Sequence, residues 1–321
     1  MRIPQALLAA IRESPDDDLP RLAYADWCEE AGLEERAEFI RVCLEMERTP
    51  RGTPAYRRLW EREVELIRRN KDDWFGSFRL HWSHYEVWRG FLDDVSAMAP
   101  VIVPHLGWLM ERHPVRRLVV GSPDLGALPE VLASPLVETL SRLRYVPSLG
   151  PAVYFAEWNI PDPPGARLPL AERPLDVTVS AAQGQDGASA LRQLASSPRL
   201  SRLGRLELSL GEMGAPGAAL LLEGMQRWPM LTTLVIRTGL GPEGLRALLG
   251  SPLTAQLCAL DLSGEPLARS GPVLLESRHL FGLERLLLGP QAPANRDLLQ
   301  RLQRRFGPRL DFYDGGSERR F

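Results

Sequence analysis

The chain has 321 residues, 44% hydrophobic and 25% charged, enough apolar material to bury a substantial core in one large or two modest domains. Its net charge of -2 supplies no global field for a phosphate backbone or an anionic membrane, so nucleic acid and lipid are excluded as partners of the surface as a whole. No uninterrupted apolar run could span a bilayer, and Met1-Arg2-Ile3-Pro4 leads into a short apolar stretch without a cleavage signature, the pattern expected of a cytoplasmic protein.

From Pro4 to about Asn70 the periodicity is helical. Tyr24, Trp27, Cys28 and Ala31 fall at i, i+3, i+4 and i+7, as do Phe39, Val42, Cys43 and Met46, so each set forms one apolar stripe. Asp16, Asp17 and Asp18 precede a helix from Leu19 to Ala31, where carboxylates accept bonds from free amides and oppose the positive helix end. Gly32 supplies its stop. A further helix from Tyr56 to about Asn70 carries Tyr56, Trp60, Val64 and Ile67 on one side and arginines on the other.

Within this segment, Ser14-Pro15-Asp16-Asp17-Asp18, the run from Arg21 to Trp27, and Ala37-Glu38-Phe39-Ile40-Arg41 together resemble the repeat-companion domain found beside repeat arrays in planctomycete and myxobacterial proteins. Trp74-Phe75-Gly76 and Arg89-Gly90-Phe91 are similar to positions between that module and its repeats. The resemblance is close over roughly the first 45 residues and loose over the next 45, and Cys28 departs from the apolar residue usual after the tryptophan. It implies a bacterial protein with repeats downstream and carries no established chemistry. Lys71 as the only lysine among many arginines, with 28 prolines and 27 glycines, fits a GC-rich bacterial genome. The motif residues Asp18, Arg21, Tyr24, Asp26, Trp27, Glu38, Phe39 and Arg41 are expected to be structural, with Asp26 and Glu38 in ion pairs beside Arg21 and Arg41 rather than in acid/base roles.

Further along, Leu206, Leu234, Leu260 and Leu286 recur at separations of 28, 26 and 26 residues, each preceded by a leucine three positions earlier and followed by an apolar residue two positions later. That is the period of a leucine-rich repeat. A short strand in each unit points alternate side chains inward, and only parallel stacking of several units buries the resulting ridge. The Gly-rich breaks at 211–214 and 239–244 and the Pro-containing break at 290–294 precede helices from Ala218 to Trp228, Leu245 to Leu249 and Asn295 to Phe306. Strand, glycine turn and helix in this order resemble the ribonuclease-inhibitor type of repeat, although the asparagine usual after the strand is missing. Weaker units at Val115–Val120, Leu140–Tyr145, Leu175–Val179 and Leu310–Phe312 bring the array to about eight strands.

The expected fold class is therefore α/β: a leucine-rich-repeat solenoid with parallel strands inside and helices outside, and a small all-helical N-terminal domain. The domains read as 1–72 helical, 73–114 connecting or capping, and 115–321 repeats, with a Pro-rich insertion at about 147–174 whose Tyr154, Phe155 and Trp158 form a candidate contact loop. Cys28, Cys43 and Cys258 read as buried free thiols in a reducing compartment.

The sequence offers little chemistry. His81 and His84, near His105 and His113, lack an acidic or thiol partner at metal-ligand spacing, so no metal is expected there. The string Gly239, Gly241, Gly244 follows a repeat strand without the rest of a dinucleotide-binding unit, and solenoid turns account for it. No cofactor, nucleic acid, membrane or small-molecule substrate is expected.

The remaining candidate is the concave strip between the repeat leucines: Arg117, Arg144, Arg205, Glu207, Thr233, Val235, Arg237, Asp261, Arg285, Leu287 and Asp311. Mixed signs with a few apolar residues suit a protein partner, because Glu207, Asp261 and Asp311 would repel a phosphate backbone. The leading expectation is a non-catalytic protein–protein interaction module. The second is an accessory or regulatory subunit acting through its N-terminal helices, and the last is a hydrolase using His81, His84 and Asp93.

Overall fold

The computed structural model describes residues 4–77, 82–148, 168–182, 184–237, 239–289 and 296–312. The chain is α/β and divides into two compact units, one formed by Met1–Gly121, Ser134–Arg142 and Leu149–Arg173, the other by Ser122–Ala133, Leu143–Ser148 and Pro174–Phe321. Ten short strands lie among the described residues, mostly parallel, and within each unit their order in space follows the chain. No helix among the described residues is long and apolar enough to cross a membrane.

The first unit opens with α1 (Gln5–Glu13), α2 (Leu19–Glu30), α3 (Glu34–Arg48) and α4 (Pro54–Phe75). Asp17 accepts the Leu19 amide at 3.0 Å where α2 begins, as the acidic run implies. At the other end Leu33 N–H donates to Cys28 O at 2.7 Å and Gly32 N–H to Glu29 O at 3.0 Å, a paired closure that uses up the last carbonyls. For α4, Thr53 Oγ1 accepts the Tyr56 amide at 3.1 Å and Pro54 takes the first helical position, whose missing N–H costs nothing. The three-helix core joins Leu8, Ile11, Tyr24, Ala25, Cys28, Ala37, Ile40 and Leu44 to Phe91 of the next element.

α4 departs from its sequence reading in which side it buries. Leu66 is fully buried and Arg62 pairs with Glu38 of α3. Trp60 and Val64 are instead 50% and 45% exposed.

Residues 73–114, read from the sequence as a connector, contain a hairpin of β1 (Trp82–Trp88) and β2 (Phe91–Met98), then α5 (Ala99–Ile102) and α6 (Leu106–Arg112). Arg89 and Gly90 turn the hairpin at φ 49° and 85°. A β-carbon at Gly90 would lie 2.8 Å from the Ile40 side chain and 3.0 Å from its Cα, so the turn is fitted to α3 and admits only glycine. Arg89, a non-glycine in the left-handed region, is held by Glu47 at 2.5 Å, Asp18 at 3.1 Å and Asp16 O at 2.6 Å. β2 runs parallel to β3 (Arg117–Gly121), with Asp94 beside Arg117 and Val95 beside Leu118.

The second unit holds α7 (Leu128–Ala133), all of β4 (Arg142–Val146) but its first residue, β5 (Leu175–Ser180), α8 (Gly187–Ser196), β6 (Leu203–Ser209), α9 (Gly214–Met225), β7 (Thr233–Ile236), α10 (Gly241–Leu249), β8 (Ala259–Leu262), α11 (Leu267–Glu276), β9 (Arg285–Leu288), α12 (Arg296–Phe306) and β10 (Leu310–Phe312). Leu206, Leu234, Leu260, Leu286 and Leu310 stand in one register row across five parallel strands, the first four fully buried. This alignment is what equal spacing requires if each leucine is to cover the next. The weaker expected units are all strands, and the β1–β2 hairpin accounts for the two beyond the expected number. Helices α9 and α10 begin earlier than the sequence implies, at Gly214 and Gly241. A β-carbon at Gly244 would lie 2.8 Å from Gly214 O, so this glycine lets α10 approach α9, a packing reason for the Gly239, Gly241, Gly244 string.

Candidate interaction surface

In the second unit the residues between the repeat leucines form two register rows. One contains Asp176, Arg205, Thr233, Ala259 and Arg285; the other contains Thr178, Glu207, Val235, Asp261, Leu287 and Asp311. Their charges are cross-linked by sign: Arg205 reaches Asp176 at 3.1 Å and Glu207 at 2.7 Å, while Arg237 reaches Glu207 at 2.9 Å and lies 3.7 Å from Asp261. Burial opposes ionisation of Glu207, but Arg205 and Arg237 outweigh it and hold the carboxyl below the usual range. Arg205 and Arg237 are likewise disfavoured by burial and raised overall by their carboxylates. Glu207, Arg205 and Arg237 therefore each favour their charged forms.

The exposed part of this strip is narrower than the sequence implies. Val235, Asp261 and Leu287 are buried. Asp261 accepts the Ser263 amide through Oδ1 at 2.7 Å, while its Oδ2 is dry and has no hydrogen bond. Thr233 and Arg144 are half-buried, Arg237 is 40% exposed, and Arg285 and Asp311 are exposed. Polar groups that a partner would meet are thus Arg237, Arg285 and Asp311, with Glu207 and Arg205 behind them.

In the first unit Arg117 reaches Glu86 at 2.7 Å, Asp93 at 3.4 Å and Asp94 at 3.1 Å. Arg116 holds Asp93 through two bonds of 2.6 and 2.9 Å and lies 4.2 Å over the Trp88 ring. Asp93 thus belongs to a buried bidentate pair, a structural arrangement. Burial pushes the Asp94 carboxyl up to about 7, with Arg117 opposing the shift. Sequence reasoning missed Glu86, Asp94 and Asp176, the acids that complete these pairings: Glu86 and Asp94 lie in the hairpin outside the leucine motif, and Asp176 sits in the truncated unit Leu175–Val179.

The N-terminal motif residues pack or pair. Asp18 meets Arg48 and Arg89, and Asp26 meets Arg41 at 2.7 Å. Glu38 holds Arg62 of α4 through bonds of 2.7 and 2.6 Å, a different partner from the arginines near it in sequence. Arg21, 1% exposed, donates to Pro15 O at 2.6 Å and lies 5.0 Å over Trp88. Tyr24 packs on Trp27 and edge-on to Phe91, and Phe39 lies 4.8 Å from Trp74.

His113 is buried, accepting the Leu92 amide at Nδ1 and donating from Nε2 to Trp74 O at 3.0 Å; burial pushes its pKa far down, so it is a neutral core imidazole. His84 and His105 are half-buried. No group of three His, Cys, Asp or Glu among the described residues is arranged to hold a metal ion. His81 and the loop residues Tyr154, Phe155 and Trp158 lie outside the described residues. Cys28 and Cys43 are buried free thiols and Cys258 is a half-buried one; burial pushes the Cys28 thiol up to about 11. No protein-family model matches the chain, and comparison with curated proteins gave no match.

Proposed function

We propose that the chain is a non-catalytic interaction module of a bacterial cytoplasm: a leucine-rich-repeat array of ribonuclease-inhibitor-like type, joined to a repeat-companion domain, that binds a protein partner through the concave strip of its repeats. The observation carrying this reading is the alternation of sign from Asp176 through Arg205, Glu207 and Arg237 to Asp261, followed by the exposed Arg285 and Asp311. A phosphate track would need one sign, and a small-molecule site a concave apolar pocket; a mixed polar strip held rigid by its own pairs suits a polar protein epitope.

The test uses the exposed end of the strip, because Arg205 and Arg237 balance buried carboxylates and their reversal would unfold the repeats. Proteins captured from a bacterial lysate by the intact chain are compared with those captured by Arg285→Glu/Asp311→Arg, with circular dichroism confirming the fold. A partner captured by the intact chain and lost by the variant supports the reading. Equal capture by both removes the strip from the binding surface.

A further inference from the structure

The unexplained feature of the first unit is the outer side of α4. Tyr56, Trp60, Val64, Ile67 and Lys71 share one stripe of this 22-residue helix, with Trp60 50% and Val64 45% exposed and the other three half-buried. Trp60 and Val64 in this stripe lie open, and the contacts of α4 with α3 are made by other residues. Leu66 is buried, Arg62 holds Glu38, Asn70 holds Glu35 at 2.7 Å, and Cys43 Sγ–H donates to Glu63 at 3.6 Å.

From Trp60 onward the stripe steps by 4, 3 and 4 residues, the spacing of a coiled-coil seam. On the flank away from α3 it is bordered by Glu61 and Arg68, one heptad apart, both exposed and opposite in charge. This combination is self-complementary in one orientation. If a second α4 is laid antiparallel with the two-fold axis between residues 65 and 66, Val64 faces the other copy's Ile67. Trp60 then faces Lys71, whose stem and ammonium suit an indole ring, and Glu61 comes beside Arg68, each contact occurring twice. A parallel arrangement instead sets this flank against the opposite flank of the other helix, so Glu61 and Arg68 do not meet.

We propose that α4 is a self-association surface on which two copies of the chain pair through antiparallel α4 helices, with Val64–Ile67 and Trp60–Lys71 in the seam and Glu61–Arg68 at its edge. This surface is separate from the repeat strip and does not depend on the function assigned to it. One helix stripe buries less than the roughly 800 Å² per partner of a standard interface, so the dimer is weak, with a dissociation constant of about 10–100 μM.

Sedimentation velocity of the full chain across about 5 to 500 μM reads the equilibrium on both sides of that range. The intact chain shifts from monomer to dimer. Val64→Glu, at an exposed position, stays monomeric throughout. Glu61→Arg weakens association at least fivefold, and adding Arg68→Glu restores it, which also guards against a folding defect in the first variant. A chain monomeric at every concentration overturns the proposal, as does a dimer indifferent to Val64→Glu. Weakening by Glu61→Arg without rescue by Arg68→Glu also overturns it, leaving the stripe to a helix of some other protein.

Discussion

Asp94 on β2 lies 3.1 Å from Arg117 Nε through one oxygen, while its other oxygen is buried without a hydrogen bond. Burial is the main reason its carboxyl rises to about 7, with Asp93 and Glu86 adding repulsion and Arg117 and Arg142 opposing it. Between the ordinary 3.8 and about 7 the folded chain therefore holds a proton that the unfolded chain has lost. Stability must fall as pH rises through that window, by at most about 4 kcal/mol from this group. Asp94→Asn keeps the shape and removes the ionisation. Urea unfolding at pH 5 and pH 8 should show a shallower loss of stability than in the parent, and a gain of about 1–2 kcal/mol at pH 8. An unchanged slope would mean that Arg117 keeps Asp94 ionised throughout. Glu265 shows a different use of a buried carboxylate: 1% exposed, it accepts the Leu240 amide and, at 3.2 Å, the Gly241 amide at the start of α10. It holds the backbone that leads into α10. Neither role is visible in sequence, because burial of a carboxylate depends on which strand lies beside it.

Elements whose partners are near in sequence or equally spaced were the legible ones. The repeat strands follow from leucine spacing, and α2 follows from its apolar stripe and the Gly32 stop. The β1–β2 hairpin was hidden, since Trp82–Trp88 has aromatic and histidine residues on a helix-neutral background and its turn is Arg89-Gly90 rather than a familiar hairpin pair. Also missed was a recurrent Ser-Pro device before repeat strands: the Oγ atoms of Ser134, Ser197 and Ser251 accept the amides of Leu136, Arg199 and Leu253 at 3.3–3.4 Å. On the candidate strip, facing direction was readable from alternation, but burial of Val235, Asp261 and Leu287 was not, because it depends on the lengths of cross-strand neighbours. The hairpin turn gives a direct test of element packing. Gly90→Ala forces a β-carbon into Ile40 at φ 85° and should cost about 2–4 kcal/mol, measured by urea unfolding. A loss below about 1 kcal/mol would show that α3 and the hairpin can part without penalty.

Across the second unit, stability must be distributed unevenly, because each strand is secured only by the strands beside it. β6 pairs on both sides, with β5 and β7, and Leu203, Leu206 and Leu208 are fully buried. β7 and β8 are similarly flanked and present mostly buried residues. β10 is three residues long, pairs with β9, and leaves Leu310 and Phe312 half-buried and Asp311 exposed. Its neighbour α12 contributes Leu298, Leu302 and Phe306 to the interior, but Arg305 also ties it to the carbonyls of Leu275 and Ser277 on and after α11. Opening of the last unit therefore breaks one strand pairing and one helix contact, while opening at β7 breaks two of each. Native-state hydrogen exchange read by mass spectrometry should find the amides of β10 exchanging first among the strands of this unit. Those of β6 to β8 should exchange only with global unfolding, a gap of at least about tenfold in rate. Equal protection at β10 and β7 would mean that the unit unfolds as one cooperative block, and that a partner gripping Asp311 gains as rigid a surface as one gripping Arg237.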